Sequence, residues 1–175
     1  MRKKIFAICG STREGSANLK LLRAIVEMTK DPFYTEIFEG LAQLPHFNPD
    51  LSIENTPYEV VVFRQKIAEA DAVLVCTPEY VFSMPGSLKN ALEWTVSTVV
   101  FSGKPAGLIT ASAGGKKGHA ELKMVMEVLG AKFNQKTCLL ISSIKAKMDA
   151  AGNIRDEKTK LEVEGFVGSF ERLLK

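Results

Sequence analysis

The sequence contains few residues of the kinds that bind metals or form disulfide frameworks. Three of the 175 residues are cysteine and two are histidine, and no CxxC pair occurs. Cys9, Cys76 and Cys138 each lie in an aliphatic or β-branched run, where a free cysteine behaves as a small apolar side chain. We therefore expect free thiols in a reducing compartment and no bound metal.

The sequence also lacks a long apolar run and a strong excess of charge of one sign. The apolar stretch behind the basic N-terminus covers only residues 5–9, which is too short for a signal peptide, and no stretch reaches the length of a membrane span. The net charge is +3, and the basic residues form short separate groups, unlike the basic face of a nucleic-acid binder. We expect a cytoplasmic protein that binds neither membrane nor nucleic acid, and an anionic small ligand suits its charge.

What is present is an alternation of strand and helix signals. The length, the 46% hydrophobic content and the 25% charged content predict one globular domain over residues 1–175. The capping-box pattern Thr56-Pro-Tyr-Glu59 favours a helix over a strand in the segment that follows it. This alternation predicts an α/β fold with a parallel sheet covered by helices on both faces. Predicted strands cover 5–9, 34–38, 72–76, 106–111 and 137–142, and predicted helices cover 16–30, 57–70, 87–97, 117–129 and a last segment ending near Leu174.

The segment after the first strand has the composition of a phosphate-binding loop. It reads Gly10-Ser-Thr-Arg-Glu-Gly-Ser-Ala-Asn18 and leads directly into a helix, whose N-terminus offers unpaired N–H groups. Arg13 adds a guanidinium group, whose N–H donors can bond two phosphate oxygens at once. The alternative is an ordinary helix cap in a Ser/Gly-rich turn. A Walker A site is excluded because Ser16-Ala17 replaces its Lys-Ser/Thr pair, and GxGxxG and Cys-x5-Arg are both missing.

Two further loops follow predicted strands at the same sheet edge. The loop after the third strand contains Tyr80, Phe82 and Met84, which offer flat or polarizable surface to a planar ring, although packing under the next helix is an equal alternative. The loop after the fourth strand is rich in small residues, which let backbone N–H groups approach a ligand. We expect His119 to cap a helix or face water, and Trp94 to lie in the core or an interface.

Four motifs in these loops resemble those of the NADPH-dependent FMN reductase family, which includes flavin, quinone, azo-dye and chromate reductases. They are Gly-Ser-Thr-Arg-x-Gly-Ser-x-Asn from Gly10, Pro-Glu-Tyr from Pro78, Pro-Gly-x-Leu-Lys-Asn-Ala-Leu from Pro85, and Ser-x-Gly-Gly at Ser112. The resemblance covers roughly residues 5–130. It implies a flavodoxin-like three-layer sandwich whose five-stranded parallel sheet has the order 2-1-3-4-5.

The resemblance also implies the chemistry. FMN is the expected cofactor and NADPH or NADH the co-substrate, with hydride passing by a ping-pong mechanism to a quinone, flavin, azo or metal-oxyanion acceptor. We expect no catalytic side chain, because the flavin carries the chemistry. A flavodoxin-type electron carrier and a regulatory protein that binds FMN without turnover are the alternatives.

Carried over by position, the resemblance assigns three groups of cofactor-binding residues. The first holds the phosphate, the second lines the flavin and the third touches the polar edge of its ring. Val81 stands where the family often has asparagine, so one polar group is lost and an apolar wall is gained. The groups are Ser11, Arg13, Ser16, Ala17 and Asn18; Pro78, Glu79, Tyr80, Val81 and Ser83; and Ser112, Ala113, Gly114 and Gly115.

A homodimer, or a homotetramer built from it, is expected from an apolar cluster at the end of the third predicted helix. The cluster consists of Trp94, Val96, Val99, Val100 and Phe101. It exceeds what one connection usually buries, and soluble monomers rarely leave a large apolar patch in water. The alternative is that these residues are ordinary core.

Overall fold

Five parallel strands form one sheet in the computed structural model, which describes residues 2–175. The strands are β1 (Lys3–Cys9), β2 (Phe33–Phe38), β3 (Ala72–Thr77), β4 (Ala106–Ser112) and β5 (Cys138–Ser142). Their order across the sheet is β2-β1-β3-β4-β5, which confirms the predicted flavodoxin-like topology. Met1, which the single-domain prediction includes, lies outside the described residues.

The helices cover both faces of the sheet, as predicted. They are α1 (Ala17–Met28), α2 (Tyr58–Glu69), α3 (Gly86–Glu93), α4 (Lys116–Val128), α5 (Ile144–Lys147) and α6 (Glu157–Leu173), with short 3-10 helices at Gly40–Gln43, Pro49–Leu51 and Gln135–Thr137. None of the helices found in residues 2–175 is both long enough and apolar enough to cross a membrane.

The alternation of side chains along β1 builds two separate cores. Phe6 and Ile8 point to the face covered by α2, α3 and α4, where Phe6 lies 6.0 Å from Phe63 between ring centroids. Ile5 and Ala7 point to the opposite face, which α1 and α6 cover. Because β1, β3 and β4 are buried on both faces, their sequences are continuous apolar runs, which is why the sequence located these strands to within two residues.

Several helix ends differ from their predictions, and in α2 and α3 the structure shows the physical reason. The capping box at the start of α2 does not form, because the Thr56 hydroxyl donates to the Leu51 carbonyl at 2.9 Å and the helix has no side-chain cap. Helix α3 ends at Glu93, short of the predicted residue 97. Thr95 and Thr98 donate their hydroxyls to backbone carbonyls three residues earlier, both at 2.7 Å, and such local bonds compete with a regular helix.

The apolar cluster expected to form a subunit contact is divided between core and surface. Trp94 and Phe101 are buried in the core, which agrees with the core position expected for Trp94 and removes both residues from the expected subunit contact. The Trp94 indole donates to the Pro45 carbonyl at 2.8 Å, and the Phe47 ring packs edge-on against it at 5.2 Å. Val96 and Val99 remain exposed.

The three cysteines are free thiols, as predicted. Burial raises the pKa of Cys9 and of Cys76, and it raises the pKa of Cys138 to about 11. A thiol that stays protonated at neutral pH is a poor nucleophile, so these residues act as apolar side chains.

Candidate functional site

The carboxyl ends of four strands surround a cavity of about 430 Å³, a size typical of small-molecule sites. The loops after β1, β3 and β4 meet there, as the sequence predicted from the rule for parallel sheets. Most of the predicted cofactor-binding residues line this cavity. They are Ser11, Arg13, Ser16, Ala17, Asn18, Pro78, Glu79, Tyr80, Ser112 and Ala113.

The loop after β1 is held against β3 by a close contact at Gly10. The Gly10 N–H donates to the Cys76 carbonyl at 2.8 Å, and a Cβ atom at Gly10 would lie 2.3 Å from Thr77 Oγ1. Only glycine leaves room for this approach. The loop then turns into α1, where Ser16 Oγ accepts a hydrogen bond from the Asn18 N–H at 3.2 Å. The positive end of the α1 dipole therefore lies at the cavity.

Asn18 fastens α1 to the centre of the sheet. Its side chain is buried, and its Nδ2 donates to the Ala111 carbonyl at 3.0 Å. The Cys76 thiol lies 3.5 Å from its Oδ1. The amide thus joins α1 to β4, and its direct contact with a phosphate stays a prediction.

Glu79 caps α4 from the neighbouring loop. Its carboxylate accepts hydrogen bonds from the N–H groups of Gly115 at 3.2 Å and Gly118 at 2.7 Å. Gly115 occupies the N-cap position of α4 with a φ of 99° and has no side chain for this purpose. A carboxylate is stabilised at a helix N-terminus. Glu79 therefore fixes the loop after β3, and its charge is already compensated.

Glu121 braces the same loop and was missed by the sequence reasoning. One of its carboxylate oxygens, Oε2, accepts from the Ser83 hydroxyl at 2.5 Å and from the Met84 N–H at 2.9 Å. Nothing in the local sequence distinguishes Glu121 from an acidic residue on an exposed helix face. Its partners lie 37 and 38 positions earlier in the chain.

Four predicted residues do not line the cavity: Val81, Ser83, Gly114 and Gly115. The Ser83 hydroxyl is engaged by Glu121, and the Gly114 carbonyl accepts from Ser142 Oγ at 2.8 Å. Val81 is exposed and the Gly115 N–H is engaged by Glu79, so contact of any of these four residues with a ligand stays a prediction.

The loop after β5 contributes a cavity wall that the sequence reasoning did not include. Ser143, Ile144, Lys145 and Ala146 line the cavity, and Ser143 donates its N–H to the Ala113 carbonyl at 3.1 Å. Helix α5 spans four residues, too few for a helical pattern to show. The sequence feature that could have indicated this wall is a cation, Lys145, in a segment that follows a predicted strand. Lys145 and Arg13 place two cations at this cavity, which suits an anionic ligand.

His119 is neither a helix cap nor exposed to water, so both parts of that expectation are wrong. It is buried against the sheet, with Nδ1 3.0 Å from Thr110 Oγ1. Burial, with a smaller contribution from the Lys123 charge, lowers the pKa of His119 to about 4. His119 is therefore neutral at physiological pH, and it lies outside the lining of the candidate cavity.

Comparisons with known proteins show the family to which the chain is similar. Residues 3–146 match the model of a family described as NADPH-dependent FMN reductase. An NADPH:quinone oxidoreductase of Arabidopsis thaliana is 36% identical over 90% of the chain and 84% of its own length. An NAD(P)H-dependent FMN reductase of Pseudomonas aeruginosa is 34% identical over 90% and 87% of the two chains.

A solved structure extends the similarity to the fold. FerB, a flavoenzyme NAD(P)H:acceptor oxidoreductase from Paracoccus denitrificans, superposes with a TM-score of 0.81. It is 29% identical, and the match covers 98% of this chain and 97% of FerB. The similarity therefore extends over nearly the whole length of both chains.

The buried His119 predicts a loss of stability in mild acid. The unfolded chain binds a proton near pH 6.5, whereas folded His119 does so near pH 4, so the unfolded state holds more protons between these values. The free energy of unfolding should therefore fall as the pH drops from 6.5 to 4, by about 2–3 kcal/mol from this residue. Urea unfolding at a series of pH values measures it.

His119→Gln should remove this part of the pH dependence, and His46→Gln is the matched control because His46 is exposed. Equal pH profiles for wild type and His119→Gln would show that His119 is not the group responsible.

Proposed function

The chain belongs to the NADPH-dependent FMN reductase family, and from that premise we propose that it is an FMN-dependent NAD(P)H oxidoreductase that reduces a quinone. The observation that carries this proposal is the meeting of the loops after β1, β3 and β4 around one cavity, with the N-terminus of α1 and Arg13 at its edge. The names of the relatives, several of which are quinone reductases, support the choice of acceptor. Free flavin, azo compounds and metal oxyanions are the other acceptors that the family allows.

The residues at the cavity fit FMN. Hydroxyl groups of Ser11 and Ser16, the N–H groups at the start of α1, and the Arg13 guanidinium form a donor set suited to a phosphate. Lys145 adds a second cation at the same cavity. Tyr80 and Ala113 line the same cavity, so an aromatic and an aliphatic side chain are present for contact with a planar ring.

Bound FMN would supply hydride transfer, the chemistry by which NAD(P)H, a quinone and one proton become NAD(P)⁺ and a hydroquinone. The protein's own contribution is to bind and orient the reactants. Glu79 is held by two backbone N–H groups and His119 lies elsewhere, so no side chain of the cavity is assigned to proton transfer. Arg13, with Lys116 and Lys117 at the start of α4, favours NADPH over NADH.

We place the protein in the cytoplasm, because its three thiols are free and two of them are buried. A reducing compartment keeps such thiols unpaired.

The shared cavity predicts ping-pong kinetics. If NAD(P)H leaves before the acceptor enters the same place, double-reciprocal plots at several acceptor concentrations should give parallel lines. Intersecting lines would mean that donor and acceptor bind together. An electron carrier or a regulatory FMN-binding protein would instead show no steady NAD(P)H oxidation with a quinone as the sole acceptor.

Arg13 should contribute to FMN affinity through the phosphate. Arg13→Ala is expected to weaken FMN binding by about 1.5–3 kcal/mol, the size of a charged hydrogen-bonding contribution, and to weaken riboflavin binding less because riboflavin has no phosphate. Fluorescence titration measures both dissociation constants. Arg23→Ala is the control, since Arg23 lies on α1 and pairs with Glu39 at 3.1 Å. Equal losses for both ligands would assign Arg13 a structural role.

We propose that the protein forms a homodimer, or a homotetramer built from it, through an apolar groove between α3 and α4. The groove has a volume of about 310 Å³ and includes Leu92, Val96, Met124 and Val128, of which Val128 is 80% exposed. The proposed contact includes Val96, which belongs to the apolar cluster expected from the sequence. It does not include Trp94 and Phe101, because both are buried in the core. The Lys89–Glu93 ion pair lies at the same groove, and a patch of this kind can pair with a second copy of itself.

Val128→Glu should therefore shift the protein towards monomer, because each dimer would bury two carboxylates without partners. Light scattering at low micromolar concentration measures the mass. Leu161→Glu is the control, since Leu161 is also exposed but lies on α6. A wild-type mass near the 19.2 kDa of one chain would contradict the dimer.

A further inference from the structure

The loop after β3 ends in a tight turn with an unusual backbone. Tyr80 and Ser83 exchange two backbone hydrogen bonds, at 2.9 and 3.0 Å. Between them, Val81 has a φ of 51° and Phe82 a φ of 61°. Two successive residues in the left-handed region are the pattern of a type I′ turn.

The residue types in this turn oppose its conformation. Asn-Gly and similar pairs dominate type I′ turns because they tolerate positive φ. A β-branched residue such as Val81 is a genuine outlier there. Strained conformations of this kind persist only where the surroundings impose them, and they concentrate at ligand sites.

The surroundings of the turn do impose its shape. Glu121 accepts hydrogen bonds from Ser83 and Met84 on one side of the turn, and Glu79 fastens the other side to α4. Met84 is buried in the core. The turn is therefore held at both of its ends, which keeps the tip in a fixed position.

The tip also exposes apolar surface beside the cavity. Val81 is 95% exposed, Phe82 78% and Tyr80 50%. Tyr80 lines the cavity, so the tip begins at the cavity rim. Stability alone would favour polar residues with a tolerance for positive φ at both tip positions. The sequence has apolar residues at both positions, although their backbone is strained and their side chains are exposed to water.

We propose that Val81 and Phe82 form an apolar wall that contacts the electron acceptor and selects acceptors with a hydrophobic ring over small hydrophilic ones. This inference rests on the proposed function, because it concerns the acceptor of the same site. It assigns the turn a role in the choice of acceptor. The transfer of electrons from NAD(P)H to the cofactor does not depend on this turn.

The test compares two acceptors within each variant. Phe82→Asn removes the ring and lowers the strain of the positive φ, whereas Phe82→Leu keeps an apolar side chain. The readout is the ratio of kcat/KM for 2-methyl-1,4-naphthoquinone to kcat/KM for ferricyanide, with NADPH as donor and FMN-loaded protein. Phe82→Asn should lower this ratio roughly tenfold, the usual effect of losing an apolar contact, while Phe82→Leu keeps most of it. Leu161→Ala, which truncates an exposed apolar residue on α6, should leave the ratio at the wild-type value.

A second readout tests the strain without measuring activity. Val81→Asn should raise Tm by about 2–4 °C, the shift that accompanies a gain of about 1 kcal/mol in a chain of this length. An unchanged or lower Tm would overturn the claim that the turn is strained.

The remaining outcomes separate this inference from the proposed function. If wild-type protein oxidises NADPH with both acceptors but Phe82→Asn keeps the wild-type ratio, the inference fails and the proposed function stands. If Phe82→Asn changes the mass in light scattering, the tip is a subunit contact and the inference is overturned. If wild-type protein with FMN oxidises NADPH with neither acceptor, the proposed function fails and the inference fails with it.

Discussion

The contact between Gly10 and Thr77 is the constraint on which the candidate site depends. Parallel pairing of β1 with β3 brings Cys9 level with Cys76, so the loops that follow both strands start side by side. A Cβ atom at Gly10 would lie 2.3 Å from Thr77 Oγ1, which would force the loop after β1 away from its neighbour. With glycine there, the N-terminus of α1 and the loop after β3 face one cavity.

Hydrogen bonds over long sequence separations then fix the other walls of that cavity. Asn18 ties α1 to β4 across 93 positions, and Glu79 ties the loop after β3 to α4 across 36 and 39 positions. The side chains of Asn18 and Glu79 are therefore bonded to other parts of the protein and hold the cavity walls in place. Arg13 and Lys145, by contrast, enter none of the ion pairs found within residues 2–175. The structure thus separates residues that build the site from cations that are available to a ligand.

The sequence predicted the sheet and the location of the site well because both follow from local patterns. A strand buried on both faces must be apolar throughout, and ligand loops follow the carboxyl ends of parallel strands. Helix ends were less predictable, since Thr56 and Thr95 bond to carbonyls in place of capping or continuing a helix. Glu121 and Lys145 were missed because their positions depend on contacts between distant segments. His119 was misplaced, and Trp94 and Phe101 were assigned to the subunit contact, for the same reason, as no local pattern shows which part of the fold covers these side chains.

We propose above all that the cavity at the carboxyl edge of the sheet binds FMN with its phosphate near the start of α1. Titration of the purified, flavin-free protein into FMN, followed by flavin fluorescence, tests this claim most directly. We expect saturable quenching at micromolar protein, with one FMN bound per chain and a yellow product. Flavin fluorescence that stays unchanged at micromolar protein would contradict it.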